Sequence, residues 1–176
     1  MKNYIGYSSD SSIKASAGFS MIELLVVIGI AGILVALAMP SFSLFLDRQK
    51  ISTLTEEFSS SVIVARSAAI KSGIPVILCA SSDGSSCGVQ WDDGWIAFRD
   101  DDRDAVFDVA EPIVLMQDSA SSNAGISVVS LAGDDVNAVG FNYRGAPDSA
   151  LSVSVSRGEQ SQLMSISPFG KTRHHD

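Results

Sequence analysis

Four groups of residues in this 176-residue chain have types and spacings suited to chemistry. Cys79 and Cys87 are separated by seven residues that include the turn pair Asp83-Gly84. In an oxidising compartment they would close a disulfide across a hairpin, and otherwise they would be two buried thiols. Closing so short a loop contributes roughly 2–3 kcal/mol on the chain-entropy argument. Asp100, Asp102, Asp104, Asp108 and Glu111 occupy positions 1, 3, 5, 9 and 12 of an EF-hand-type loop, a pattern suited to a hard oxygen-ligand cation such as Ca2+. The sixth position, which wants glycine, is Ala105, and the flanks read as strand rather than helix. The competing reading is a solvated acidic hairpin tip. Lys171 and Arg173 form a basic end that Arg144 or Arg157 would reinforce if folding brought either near. His174-His175-Asp176 beside them is a poor metal site, since adjacent ligands on a free tail lack a rigid frame. The fourth group is Glu23 alone, just ahead of an uncharged stretch. Ser20-x-x-Glu23 reads as a capping box, yet a charge just inside an apolar span is costly and marks function by default.

No enzyme is expected. There is no Gly-rich phosphate loop, and no nucleophile motif lies beside a histidine, since both histidines sit at the extreme end. No cofactor is called for beyond that Ca2+ option. Hydrophobic residues make up 46% of the chain, so disorder is excluded despite a net charge of -8. Two cysteines are too few for a disulfide-built miniprotein or a four-ligand zinc site. Fourteen of the sixteen residues of Leu24–Met39 are hydrophobic and the other two are glycines. The chain therefore reads as a soluble body with one greasy segment.

The elements that position these groups follow from the patterning. Met1–Gly18 is polar and carries Lys2 and Lys14. A secretory signal peptide places its apolar region before the cleavage point and discards it. Here the plausible processing point, Gly18, precedes the apolar run, so the run stays on the mature chain. With its flanks it approaches the ~20 residues needed to cross hydrocarbon. The positive-inside rule then keeps the leader cytoplasmic and exports the acidic body, in contact with inner-membrane lipid and crossing once. Pro40 should bend or locally break the helix. Gly29, Gly32 and Ala36 either allow close helix contact or are ordinary membrane-helix residues. From Phe45 the stripe Ile51, Leu54, Phe58, Val62, Ala65 and Ala69 predicts a continuing amphipathic helix, stopped by Gly73 and Pro75. One helix over 19–72 would be ~80 Å long.

Strands are predicted near Ile74–Ala80, Val89–Arg99, Ala105–Met116, Gly125–Leu131, Asn137–Tyr143, Leu151–Ser156 and Gln162–Ser167. Gln117–Ala124 is the expected flexible loop. The fold class is α+β: a long N-terminal helix, transmembrane then amphipathic, packed on a C-terminal antiparallel sheet whose apolar face covers the stripe.

Gly18-Phe19-Ser20-Met21-Ile22-Glu23-Leu24-Leu25 resembles the class III signal of type IV pilins and type II secretion pseudopilins. The resemblance implies that a prepilin peptidase cuts after Gly18 and methylates the amine of Phe19. It implies also that Glu23 meets the N-terminal amine of a neighbouring subunit, the partners being other major and minor pilins or pseudopilins. The implied organisation is a leader over 1–18, a filament-core helix over 19–46 and a periplasmic body over 47–176. Four further pieces resemble the GspH/FimT branch. They are Ala65-Arg66-Ser67-Ala68-Ala69-Ile70, Trp91…Gly94-Trp95-Ile96-Ala97-Phe98, Phe141…Arg144-Gly145, and Ile166-Ser167…Gly170-Lys171-Thr172-Arg173. The implied function is that of a minor subunit helping to initiate a type II secretion pseudopilus or a type IV pilus, secretion being slightly favoured. Gly170-Lys171-Thr172-Arg173 also resembles the Gly-Arg-x-Arg motif with which FimT-type minor pilins bind DNA. Lysine replaces the first arginine and loses its fork. From Phe19 onward 10 basic and 19 acidic residues repel DNA at long range, so DNA is the alternative partner and not the favoured one.

Overall fold

The computed structural model describes residues 18–118 and 124–175, without the side chains of 38–41. The leader residues 1–17, residues 119–123 of the expected flexible loop, Asp176 and the side chain of Pro40 lie outside the described residues. The chain divides into two compact units, Met1–Phe42 and Ser43–Asp176.

In the first unit, α1 (Met21–Ser72) begins with a hydrogen bond from the Leu24 N–H to the Ser20 carbonyl, 3.1 Å. The large apolar side chains from Met21 to Leu37 are all exposed. Among the described residues no single helix is long and apolar enough to cross a membrane. The stretches Met21–Leu37 and Phe42–Ser72 meet the requirement only together, by length and composition.

In the second unit α1 turns its stripe inward, and Ile51, Leu54, Phe58, Val62, Ala65 and Ala69 are all buried. The Thr55 and Ser61 hydroxyls donate to the carbonyls one turn back, so polar residues beside the stripe are buried without loss. The helix ends at Gly73, whose φ of 69° suits a left-handed cap and whose N–H reaches the Ala69 carbonyl.

Eight strands follow among the described residues: β1 Val76–Ala80, β2 Gly94–Arg99, β3 Ile113–Asp118, β4 Gly125–Ser130, β5 Ala138–Phe141, β6 Leu151–Arg157, β7 Gln160–Ile166 and β8 Thr172–His175. They form two antiparallel sheets, ordered β3-β2-β1-β5 and β4-β6-β7-β8, where one sheet was expected. The chain leaves the first sheet after β3 and returns with β5 to pair Phe141 with Val76. Side-chain alternation encodes which face of a strand is buried and says nothing of its partners. In the first sheet, β1 and β2 are buried on both faces. Val76, Leu78, Trp95 and Ala97 face the main core, while Ile77, Cys79, Ile96 and Phe98 form a second cluster capped by Phe107. The second sheet is one-sided, with Leu151, Val153 and Val155 buried between outward serines.

Three predicted elements need correction. The stretch predicted to open with Val89 is extended only from Gly94, after a single 3-10 turn at Trp91–Asp93. The strand predicted from Ala105 begins at Ile113; Arg103 and Ala105 have positive φ, and Glu111 draws the loop together by accepting the N–H groups of Asp101 and Asp108. Finally, residues 172–175, read as a free tail, form β8 on the edge of the second sheet. Thr-Arg-His-His carries no apolar alternation that would have marked it as a strand.

Pieces distant in sequence meet where β8 begins. Gly170 has φ 72°, and a Cβ there would lie 2.5 Å from the Gly145 carbonyl oxygen. A Cβ on Gly145 would collide with Ile70 and Arg66. The Arg66 guanidinium donates to the Gly170 carbonyl at 3.1 Å, and Ser59 meets Thr172 at 3.4 Å. Gly170 is thus required by close approach to the Gly145 backbone, and Gly145 by close approach to helix side chains.

This packing sets the cost of three substitutions, read by urea unfolding. Phe58→Ala should cost about 3–5 kcal/mol, because a fully buried ring is lost between two tryptophans. Gly158→Ala, at positive φ in open space, should cost roughly 1 kcal/mol. Gly170→Ala should cost about 2–3 kcal/mol, since overpacking adds to the same backbone strain. Equal costs at the two glycines would show that the junction yields.

Candidate assembly and surface sites

At the start of α1, Phe19 is 77% exposed and Glu23 is the acidic residue of the first turn. The Glu23 carboxylate has no hydrogen-bond or ion-pair partner among the described residues, and from Leu24 to Met39 no other charge follows it. The helix dipole favours a carboxylate here, by about 0.3–1 kcal/mol at an exposed site. That leaves an acceptor open on a surface that is otherwise hydrocarbon.

Cys79 and Cys87 are joined in a disulfide, with Cα atoms 5.6 Å apart. Cys79 lies in β1 opposite Ile96, and Cys87 lies in the loop leading to β2, so the bond folds the loop onto the strand rather than linking two paired strands. Asp83 organises the same loop. Its carboxylate accepts the Ser85 and Ser86 N–H groups at 2.8 and 2.9 Å and the Ser86 hydroxyl at 2.8 Å. The Ser85 N–H first, then the Ser86 hydroxyl, hold its carboxyl far below the usual carboxylate range. This tie is complete at neutral pH and is lost only as pH falls into strong acid. A short Asx turn of this kind was a signal the sequence offered beyond the Asp-Gly pair.

The acidic loop between β2 and β3 sorts its carboxylates. Asp101 is taken by Arg99 in a two-pronged pair that lowers the carboxyl and raises the guanidinium. Glu111 spans the loop mouth, as described, and Asp108 gives its carbonyl to the Glu111 N–H at 2.9 Å. Of the five carboxylates at EF-hand positions, the fold gathers Asp100, Asp102 and Asp104, whose oxygens lie within 4.8 Å of one another. Asp102 and Asp104 are exposed, whereas Asp100 is buried and its Oδ1 has no hydrogen-bond partner among the described residues. An unpaired buried acceptor costs about 1–3 kcal/mol, and more when charged.

At the basic end, Lys171 and Arg173 are exposed on the side of β8 that also carries His175, whose Nε2 meets the Ser165 hydroxyl at 3.0 Å. Arg144 is exposed over the Tyr143 ring, 5.2 Å from its centre. The turns bearing Arg144 and Lys171 meet at Gly145 and Gly170. Arg157 is not part of this end, being paired with Asp47 at 2.7 Å.

The family model described as Type II transport protein GspH matches residues 54–170, about two thirds of the chain. The prokaryotic N-terminal methylation motif matches residues 13–39. The fold is similar to the type IV minor pilin FimU of Pseudomonas aeruginosa, with a TM-score of 0.53 at 14% identity over 75% of this chain and 92% of that one. It is similar also to the minor pseudopilin EpsH from the Type 2 Secretion System of Vibrio cholerae, at 0.51 and 9% over 72% and 96%. With a methylation motif leading into an apolar helix, and that helix packed in its second half on antiparallel sheets, the chain belongs to the GspH family and is a non-enzymatic subunit of a pilus or pseudopilus.

Proposed function

We propose that the chain is a precursor cut after Gly18 and methylated on Phe19 by a prepilin peptidase. Its N-terminal helix then rests in the inner membrane with residues 47–176 exported, and from there it helps to initiate a filament, in type II secretion rather than in a pilus. The observation that carries this reading is Glu23: one unpartnered carboxylate in the first turn of a helix whose large apolar side chains from Met21 to Leu37 are all exposed. Exposed apolar surface of that extent needs lipid or other helices against it. A carboxylate carried into such surroundings needs a cation, and the amine of an adjacent subunit's Phe19 is the positive charge that every copy of a bundled helix brings to that level. Pairing in low dielectric makes the contact selective, because a copy in the wrong register leaves a charge buried and unpaired. Replacement of Glu23 by Ala should leave membrane insertion and Gly18 cleavage intact and reduce filament incorporation at least tenfold, scored by co-purification with sheared filaments. Normal incorporation would reduce Glu23 to a helix cap.

A second reading, DNA binding through Lys171, Arg173 and Arg144, is favoured by one observation, the meeting of the Arg144 and Lys171 turns at the glycine junction. The excess of acidic residues opposes it. Duplex DNA titrated against the full chain in detergent at low salt is expected not to bind. Binding that falls with salt at a slope of about two to four, and disappears in Lys171→Ala/Arg173→Ala, would establish the second reading.

A further inference from the structure

We propose that the loop between β2 and β3 is a divalent-cation site, selective for Ca2+, formed by Asp100, Asp102 and Asp104. The site is independent of Glu23 and of filament register. Six carboxylates stand against two guanidiniums from Arg99 to Glu111, and the fold already spends part of that charge. Arg99 holds Asp101, and Glu111 is occupied by the backbone N–H groups of Asp101 and Asp108. Of the four that remain, Asp100, Asp102 and Asp104 have oxygens within 4.8 Å of one another. Oxygens bound to one Ca2+ at roughly 2.3–2.6 Å can stand no more than about 5 Å apart, a limit that all three meet.

Asp100 separates this group from an ordinary acidic turn. It is 3% exposed, and its Oδ1 is buried with neither a hydrogen-bond donor nor contact with bulk water among the described residues. Its own N–H is held by the Pro75 carbonyl at 3.0 Å, which fixes the residue at the end of β2. A carboxylate held there without a donor lacks a positive charge, and a cation shared with Asp102 and Asp104 supplies it. The rest of the loop is already braced. Phe107 packs edge-on against Phe98 with ring centres 5.1 Å apart, anchoring the loop to the outer face of the first sheet. The exposed position of Asp102 and Asp104 leaves room for water and carbonyl ligands. Ca2+ accepts such an irregular shell, whereas Mg2+ demands a near-ideal octahedron.

Because Glu111 is engaged by the backbone and gives no bidentate arm, affinity should be weak, with Kd roughly 10⁻⁴–10⁻³ M. The test is calorimetric titration of the full chain in detergent with CaCl2 at constant ionic strength, with thermal unfolding alongside. One ion per chain should bind saturably, and Tm should rise by about 3–6 °C at ten times Kd. MgCl2 should bind at least several-fold more weakly. The variant Asp102→Asn/Asp104→Asn keeps the side-chain oxygens that accept the Asp104 and Val106 N–H groups, so it should fold normally and lose at least tenfold in Ca2+ affinity. No saturable heat and no shift of Tm up to about 10 mM Ca2+, or an undiminished response in the double variant, would overturn the proposal.

Discussion

Phe58 holds the second unit together. Its ring lies edge-on to Trp91 and to Trp95, each 5.3 Å away, and all three side chains are buried. Edge-to-face pairs of this kind add to plain area burial. Each tryptophan is then fixed by its polar edge: Trp95 donates to Ser61 on the helix at 2.8 Å, and Trp91 donates to the Val136 carbonyl at 2.7 Å. One helical residue thus registers α1 against β2 and against the turn before it. The second sheet enters the same core through Val128, Val153, Val155 and Met164. Because a single stripe serves both sheets, the turn that joins β5 to β6 and the turn between β7 and β8 are both placed relative to the helix, which is why Gly145 and Gly170 can meet beside Arg66.

The same core explains the distribution of charge. Most carboxylates of this acidic chain are exposed, or matched locally as Asp83 is by N–H groups and Asp101 by Arg99. Glu23 and Asp100 are the two that stand apart. One is set at the head of an exposed apolar helix and the other is buried at the end of a strand, and neither has a donor within the described residues. An ionised carboxylate in apolar surroundings costs stability until a cation or a donor completes it. The proposed completions differ in kind, a neighbouring chain's amine and a metal ion, but the physical demand is one.

Much of this was legible in the sequence, and the exceptions have causes. The stripe from Ile51 to Ala69 was readable because a helix repeats its apolar face over many turns, and each of its six residues is buried. The centres of seven strands were readable from alternation and turn residues. Strand partners were not, since pairing Val76 with Phe141 closes a long loop that no local pattern records. β8 was missed because its burial lies in Gly170 and in the carbonyl that Arg66 holds, outside its own side chains. At the acidic loop the spacing marked five ligands, whereas the backbone recruited Glu111 as a brace and Arg99 removed Asp101 from the repelling set. Sequence spacing counts carboxylates; it does not count the N–H groups that compete for them.

The likeness to FimU and EpsH at 14% and 9% identity shows what such a fold asks of a sequence. Burial on one side of a helix and alternation on a one-sided sheet can each be met by many residues, and glycine is demanded only where two backbones touch, so few identities are needed to keep the arrangement. Function is not held in that shared frame. In this chain the features outside the frame's requirements are charges: Glu23, the Asp100–Asp102–Asp104 group and the basic edge of β8. Packing does not ask for any of them, and Asp100, buried with an unpaired oxygen, makes the isolated chain less stable than a neutral residue would. A group whose charge is left open in the isolated chain is explained by the state in which it is completed: for the Asp100 group that proposed state is the cation-loaded loop, and for Glu23 it is the filament, where a neighbouring chain's amine is present.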